Sequence, residues 1–210
     1  MAKKALDELE LLPTEKAVEI EIEGRAPGLL MHNPESMLSP KGKGRGGIKQ
    51  CAHGIALDKP CKDCLELRTY RTRSGSGELC IRDKHIFTCL VHAAKAFHVE
   101  SGRGRKASAA AQIGGTVRVY PADISLGMKD YDAVYSDWVV IVKQRVISHR
   151  PWIKNWKAKF YLIYDTRFWG DDAMLHDILQ DAGIRKGILD YRPEHLGSFG
   201  TFKVTKWQVL

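Results

Sequence analysis

Apolar and acidic residues alternate from Ala17 to Glu23, with Val18, Ile20 and Ile22 on one side and Glu19, Glu21 and Glu23 on the other. That period of two predicts a half-buried strand, ended by Gly24. A helical period takes over from Lys84 to Phe97, where Ile86, Phe87, Leu90, Ala93, Ala94 and Phe97 form one stripe behind Asp83 as N-cap. Thr116–Pro121 reads as a short strand. Trp138–Ile147 is apolar almost throughout, as an interior strand would be, and Trp156–Tyr164 is expected to pair back on it after the turn Ser148–Asn155. Beyond Gly170, Asp171 and Asp172, acids suited to a helix N-terminus, Met174, Leu175, Ile178, Leu179 and Ala182 recur at helical spacing. Gly183 falls where a C-cap glycine belongs. A glycine-punctuated loop, Gly187–Gly200, then leads into a closing strand, Thr201–Val209.

Stripped of insertions, the order is strand, helix, strand, strand, helix, strand. That is an α+β, ferredoxin-like or RRM-like βαββαβ pattern built on an antiparallel sheet. Residues 1–33 hold an N-terminal segment and the first strand; the seam Leu6, Leu9 and Leu12 before Pro13 predicts a short helix ahead of it. Residues 34–79 form a basic, metal-binding insertion, and residues 80–210 complete the core with a second insertion around 102–137.

The insertions carry the charge. The chain has 210 residues, 44% hydrophobic, enough for one domain with excursions. Its net charge is +8 and its sequence pI about 9.2, and because residues 1–23 are acidic the remainder is more basic still. Such a balance favours a polyanionic partner, nucleic acid first. Lys41, Lys43 and Arg45 lie in Pro40–Gly47, a stretch without apolar residues, and Arg103, Arg105 and Lys106 form a second cluster. Neither can pack on its own, so both are expected to be flexible basic loops that an anion orders. No run approaches the length of a membrane span and no charged-then-apolar leader is visible, which excludes a membrane partner and points to the cytoplasm with reduced thiols.

Cys51, His53, Cys61 and Cys64 are the most specific motif in the chain. Zn²⁺ takes four borderline-soft donors in a tetrahedron, and the two residues between Cys61 and Cys64 are knuckle spacing. With four protein ligands no position stays open, so the expected role is a structural Zn²⁺ that staples an insertion too small to fold on its own core. Cys80 and Cys89 stand outside this set, and Cys89 is expected in the core.

The first strand runs into Glu23–His32, and the last helix runs through the glycine loop into Gly197-Ser-Phe-Gly-Thr-Phe202. Together these stretches resemble the RAMP superfamily of CRISPR systems, in particular its Cas7-like backbone subunits. They are also similar to small phage-encoded proteins that share a Tyr-Arg-Pro and glycine–phenylalanine ending. The resemblance implies an RNA-binding subunit that coats the guide (crRNA) backbone as repeated copies in a ribonucleoprotein, with finger- and thumb-like insertions. It implies as partners guide RNA and beyond it a target strand, further copies of the chain, and other CRISPR-type subunits.

Side chains suited to phosphates are Arg25 and His32 after the first strand, Lys41, Lys43, Arg45, Arg103, Arg105 and Lys106 in the loops, Arg145, Arg150 and Lys154 flanking the hairpin, and Arg192 in the glycine loop, whose backbone N–H groups are also expected to be exposed. Trp152 is placed as a base-stacking ring, and Trp156 in the core. An enzyme is disfavoured: His32, His85, His149, Glu35, Asp58 and Asp63 lie in the relevant regions, but no pair has a telling spacing. Two alternatives stay open, a phage single-stranded nucleic-acid-binding or recombination accessory protein and a RAMP-type endoribonuclease.

Overall fold

A computed structural model describes residues 11–33, 50–51, 53–101, 105–141 and 144–210. In chain order the strands are β1 (Glu15–Gly24), β2 (Leu29–Leu30), β3 (Cys80–Arg82), β4 (His98–Ser101), β5 (Arg105–Ser108), β6 (Val117–Tyr120), β7 (Asp123–Ser125), β8 (Ala133–Ile141), β9 (Gln144–Ile153), β10 (Lys157–Asp165) and β11 (Phe202–Val209). The helices are α1 (Lys62–Leu67), α2 (Asp83–Ala94), α3 (Ala109–Thr116), α4 (Thr166–Trp169) and α5 (Ala173–Asp181), the last running into a π-turn at Ala182–Lys186. The molecule is therefore mixed α+β with antiparallel sheets.

Four strands form the central sheet in the order β11-β1-β10-β6, every pair antiparallel. Alternation in β1 decides its two faces. Val18, Ile20 and Ile22 are fully buried and pack in one core with Phe160 and Leu162 of β10, Ile86 and Leu90 of α2, and Leu175, Ile178 and Leu179 of α5. Each such aliphatic side chain contributes about 1.5–3 kcal/mol on leaving water. The other face carries Glu19, Glu21 and Glu23, set against Lys157 and Lys159 of β10 and Lys203 and Lys206 of β11. Glu19 is almost wholly buried, yet it bonds both Lys159, at 2.8 Å, and Lys206. Hydrogen bonds from these two lysines hold its carboxyl below the usual range.

Both long helices fall where their periodicity places them, with local corrections. Arg82 rather than Asp83 precedes α2, and its backbone N–H donates to His85 Nδ1 at 3.1 Å. Gly183 is not a C-cap: it lies inside the π-turn, where a Cβ would overlap the Phe202 carbonyl, so glycine lets the turn seat against β11. Ala109–Thr116, within the expected second insertion, forms α3, capped by Ser108 Oγ accepting from Ala110 N–H at 3.3 Å, and the strand expected from Thr116 begins at Val117.

The expected hairpin of Trp138–Ile147 with Trp156–Tyr164 does not form. Trp138–Ile147 itself doubles back, β8 pairing with β9 in the register Trp138↔Ile147 and Val140↔Arg145, and β2 joins β9 to make a second, three-stranded sheet. β10 goes instead to the central sheet beside β1. The apolar run was a two-stranded ribbon, not an interior strand, and Trp138 on it is 63% exposed. The predicted N-terminal helix lies outside the described residues, save Leu11 and Leu12.

Candidate metal centre and nucleic-acid interface

The metal-ligand spacing is resolved by one turn and one helix start. Gly54 N–H donates to the Cys51 carbonyl at 2.9 Å and Cys51 N–H to the Ile55 carbonyl at 2.8 Å, with Gly54 at φ +77°. This reversal brings His53 back over Cys51. Cys61 is the N-cap of α1 and Cys64 lies in its first turn, so two residues of spacing place both thiols on one side. One donor atom from each of Cys51, His53, Cys61 and Cys64 lies within 4.8 Å of every other. His53 Nδ1 is 3.3 Å from Cys64 Sγ and 3.7 Å from Cys61 Sγ. A tetrahedron of sulfurs about 2.3 Å from zinc has edges of roughly 3.8 Å, so the four side chains lie close enough to hold a metal ion.

The environment drives the Cys51 and Cys64 thiols in opposite directions. Burial and the neighbouring sulfurs push Cys64 up to about 12. Cys51, despite a desolvation that acts in the opposite sense, is drawn down to about 6 by hydrogen bonds from the His53 and Ile55 backbone. Cys80 and Cys89 are buried away from this cluster, raised by desolvation to about 11 and about 12, and Cys89 Sγ–H donates to the Ala182 carbonyl.

The Cys51, His53, Cys61 and Cys64 cluster is tied to the rest of the fold by polar bonds. Arg68, at the end of α1, donates to Ser148 Oγ at 3.2 Å and to the His149 carbonyl. His149 donates from Nε2 to the Leu57 carbonyl at 3.2 Å while Nδ1 meets Ser136 Oγ at 2.7 Å. His149 thus serves as a strut between insertion and ribbon. Asn33 N–H donates to the Arg68 carbonyl at 3.0 Å, and the Tyr70 hydroxyl to the His32 carbonyl at 3.2 Å.

The glycine loop is equally interlocked. Gly200 N–H donates to the Gly28 carbonyl at 2.8 Å, Ile188 N–H to the Gly200 carbonyl at 2.9 Å, and Phe199 N–H to the Tyr191 carbonyl at 2.9 Å. Gly197 and Gly200 sit so close to the Tyr191 and Ile188 carbonyls that a Cβ would overlap them. The expectation of exposed N–H groups at these positions fails: these donors are used inside the fold, and glycine is required there for close approach. The loop's contribution lies in what it pins. Asp190 bonds the guanidinium of Arg150, which lies over the Tyr191 ring at 4.7 Å. Glu194 gathers His92 at 2.5 Å, Arg192 at 3.1 Å and Lys186 at 3.9 Å.

Between this loop and α2 lies a cavity of about 320 Å³, lined by His32, Tyr70, Lys84, His85, Thr88, Cys89, Gly187–Asp190, Arg192 and Glu194. His32 Nδ1 is buried and has no hydrogen-bond partner among the described residues, and burial depresses the imidazole below its usual value, the nearby Asp190 opposing and Arg68 and Arg150 assisting. His85 accepts the Arg82 N–H at Nδ1 and meets the Tyr70 ring edge-on at 4.9 Å.

The sequence-derived contacts separate into groups. Trp152 and Lys154 lie beside residues 25–28, where Arg25 is exposed: Trp152 donates from Nε1 to the Pro27 carbonyl at 2.8 Å, and Lys154 Nζ lies 5.1 Å from the Trp152 ring centroid. His32 and Arg192 line the cavity. Arg150 is buried and ion-paired, which removes it from the exposed cations. Arg145 is exposed on β9, on a different sheet from Glu19, Glu21 and Glu23, and Lys106 is exposed on β5. Arg105 opens β5. Lys41, Lys43, Arg45 and Arg103, with Glu35, lie outside the described residues. Asp58 and Asp63 are exposed near the metal cluster, and Trp156 fills the core against Gly24 and Phe202. Lys84 and exposed Trp138 went unnoticed in the sequence; a lone lysine at a helix start and a tryptophan inside an apolar run carry no signal until the partners are placed. No family model and no curated protein sequence matches the chain. Among the described residues no helix is long and apolar enough to cross a membrane.

Proposed function

We propose that this chain is a ferredoxin-like RNA-binding subunit of the RAMP type, close in kind to the Cas7-like proteins that coat a guide strand as repeated copies, with a structural zinc in its insertion. One observation carries the reading. The two stretches that suggested it, Glu23–His32 and Gly197–Phe202, are 165 residues or more apart in sequence yet joined by the Gly200–Gly28 hydrogen bond. Around that joint stand Arg25, Trp152 and Lys154, and next to it the cavity with His32 and Arg192. Phosphates want cations of this kind, and a half-buried tryptophan with a lysine over it suits a base. The strand order β11-β1-β10-β6 is the one a βαββαβ chain takes when β1, α2, β6, β10, α5 and β11 are its six elements. The sheet face opposite the helices is charge-compensated by its glutamates, so the interface runs along the β1 end rather than across the strands.

The test is what copurifies. RNA of discrete, uniform length bound to an assembly of several copies is the expected result; mixed DNA, or no nucleic acid at any salt, removes the reading.

One observation favours the endoribonuclease alternative: the fold brings His32 and His85 into one cavity with Lys84, which their spacing in sequence did not indicate. An acid–base pair with a cation is what 2′-hydroxyl attack requires. Incubation of end-labelled RNA without added metal, with wild-type and His85→Ala protein, decides it: cleavage lost in the variant establishes this reading, and intact RNA with wild type ends it.

A further inference from the structure

One cation beside the cysteine–histidine cluster has no carboxylate of its own. Arg68 closes α1 in helical geometry, φ −86° and ψ −8°, with its N–H bonded to the Leu65 carbonyl at 3.0 Å. Cys61, Cys64 and Arg68 therefore follow at spacings of three and four, which places them along one side of the helix. The Arg68 side chain is half-buried, and its bonds go to neutral oxygens of β9, Ser148 Oγ at 3.2 Å and the His149 carbonyl. Among the described residues no carboxylate lies within ion-pair distance of it. Asp190 acts on it from further off but is bonded to Arg150, a buried cation that itself acts against Arg68.

A cation drawn out of water with no anion opposite it is unfavourable unless its charge is met from elsewhere. The other group acting on Arg68 is Cys64, four residues back on the same side of α1, and its ionised sulfur favours the guanidinium charge. A neutral thiol offers no such charge. Around Zn²⁺ the same sulfurs are thiolates, and three thiolates with one neutral imidazole outweigh the ion by one negative charge.

We propose that Arg68 is the counter-charge of an ion held by Cys51, His53, Cys61 and Cys64, set on the cluster by its bonds to β9. The inference rests on the structural-zinc reading above and adds to it a residue outside the ligand set on which ion affinity depends. It also connects the ion to the rest of the fold, because Arg68 bonds the strand that carries Trp152.

The experiment compares the full chain with Arg68→Gln, Arg68→Lys and Lys62→Gln. Glutamine keeps hydrogen-bond donors for Ser148 and His149 but loses the charge, and lysine keeps the charge. Lys62, exposed on α1, controls for the net charge of the helix. Zinc affinity is read by competition with a chromophoric chelator, and melting temperature is read both with zinc and with excess chelator. Arg68→Gln is expected to weaken zinc binding about 10–100-fold, as loss of a group just outside the ligands does, while Arg68→Lys and Lys62→Gln stay close to wild type. Stability divides the same way: Arg68→Gln lowers the melting temperature of the zinc-bound chain, and leaves that of the metal-free chain unchanged or raised, where the charge it removes is unopposed. Wild-type affinity in Arg68→Gln, an Arg68→Lys loss as large as that of Arg68→Gln, or equal destabilisation with and without zinc overturns the proposal and leaves Arg68 a tie to β9. A wild-type chain that takes up no zinc overturns the zinc reading itself, and the proposal with it.

Discussion

Single positions in this protein are decided by what stands a van der Waals radius away. Gly200 has φ +71° and lies against the Ile188 carbonyl, and Gly197 lies against that of Tyr191. Alanine at Gly200 suffers both a left-handed backbone and a steric overlap, so Gly200→Ala is expected to cost about 2 kcal/mol or more, read as a lowered denaturation midpoint. Gly54, at φ +77° with open space around it, suffers the backbone term alone and the smaller loss. His32 makes a pH prediction. Burial lowers its folded pKa, so between the ordinary imidazole value and the folded one the unfolded chain binds more protons. Its contribution to stability is intact above the ordinary value near 6.5 and is lost as pH falls through the folded value. A ¹H–¹⁵N titration placing the His32 midpoint at or above the ordinary value would contradict this.

At the scale of elements, the insertion and the central strand answer to different forces. The segment around α1 buries little beyond Cys61, Leu65, Thr69 and Tyr70, so a bound ion is expected to contribute much of its order. Cobalt substitution should give thiolate charge-transfer absorption, Cys64→Ser should abolish it, and chelation should release about one zinc per chain with a drop in melting temperature. A chain that holds no metal as purified and melts identically with chelator would exclude the staple. In β1, Glu19 is nearly buried between Lys159 and Lys206, whose side chains are 47% and 38% exposed. Glu19→Ala should therefore cost roughly 1–2 kcal/mol, between an exposed and a buried pair. Since its folded pKa is depressed, that stability is present above the ordinary carboxylate pKa and falls away as pH drops through the folded value.

For the whole molecule, the arrangement joins the cysteine–histidine cluster, the cavity and the glycine loop in one hydrogen-bonded chain. It runs through Arg68 and Asn33 to the Tyr70–His32 contact, and on through Leu30, whose carbonyl accepts from Asp190 N–H at 3.4 Å. Single-stranded RNA is expected to bind with a logarithmic salt slope of about −0.7 per phosphate contacted, and Arg25→Glu with Lys154→Glu to flatten that slope by roughly 1–2 units. A slope unchanged by both substitutions would place the interface elsewhere.

Much of this was legible in the chain before folding. The alternation of β1, the stripes of α2 and α5 and the ligand set Cys51, His53, Cys61 and Cys64 depend on spacings of a few residues, and local geometry carries them into space unchanged. The ribbon β8–β9 was not legible, because an apolar run reads alike whether it is one covered strand or two that fold back. Nor were the fates of the cations. Arg150 and Asp190 meet across 40 residues and Glu19 and Lys206 across 187, and only the packed sheet decides which positive charges are consumed inside. The same holds for His32, His85 and Lys84: residue types are written locally, but a cavity is a property of surfaces brought together by the burial of everything else.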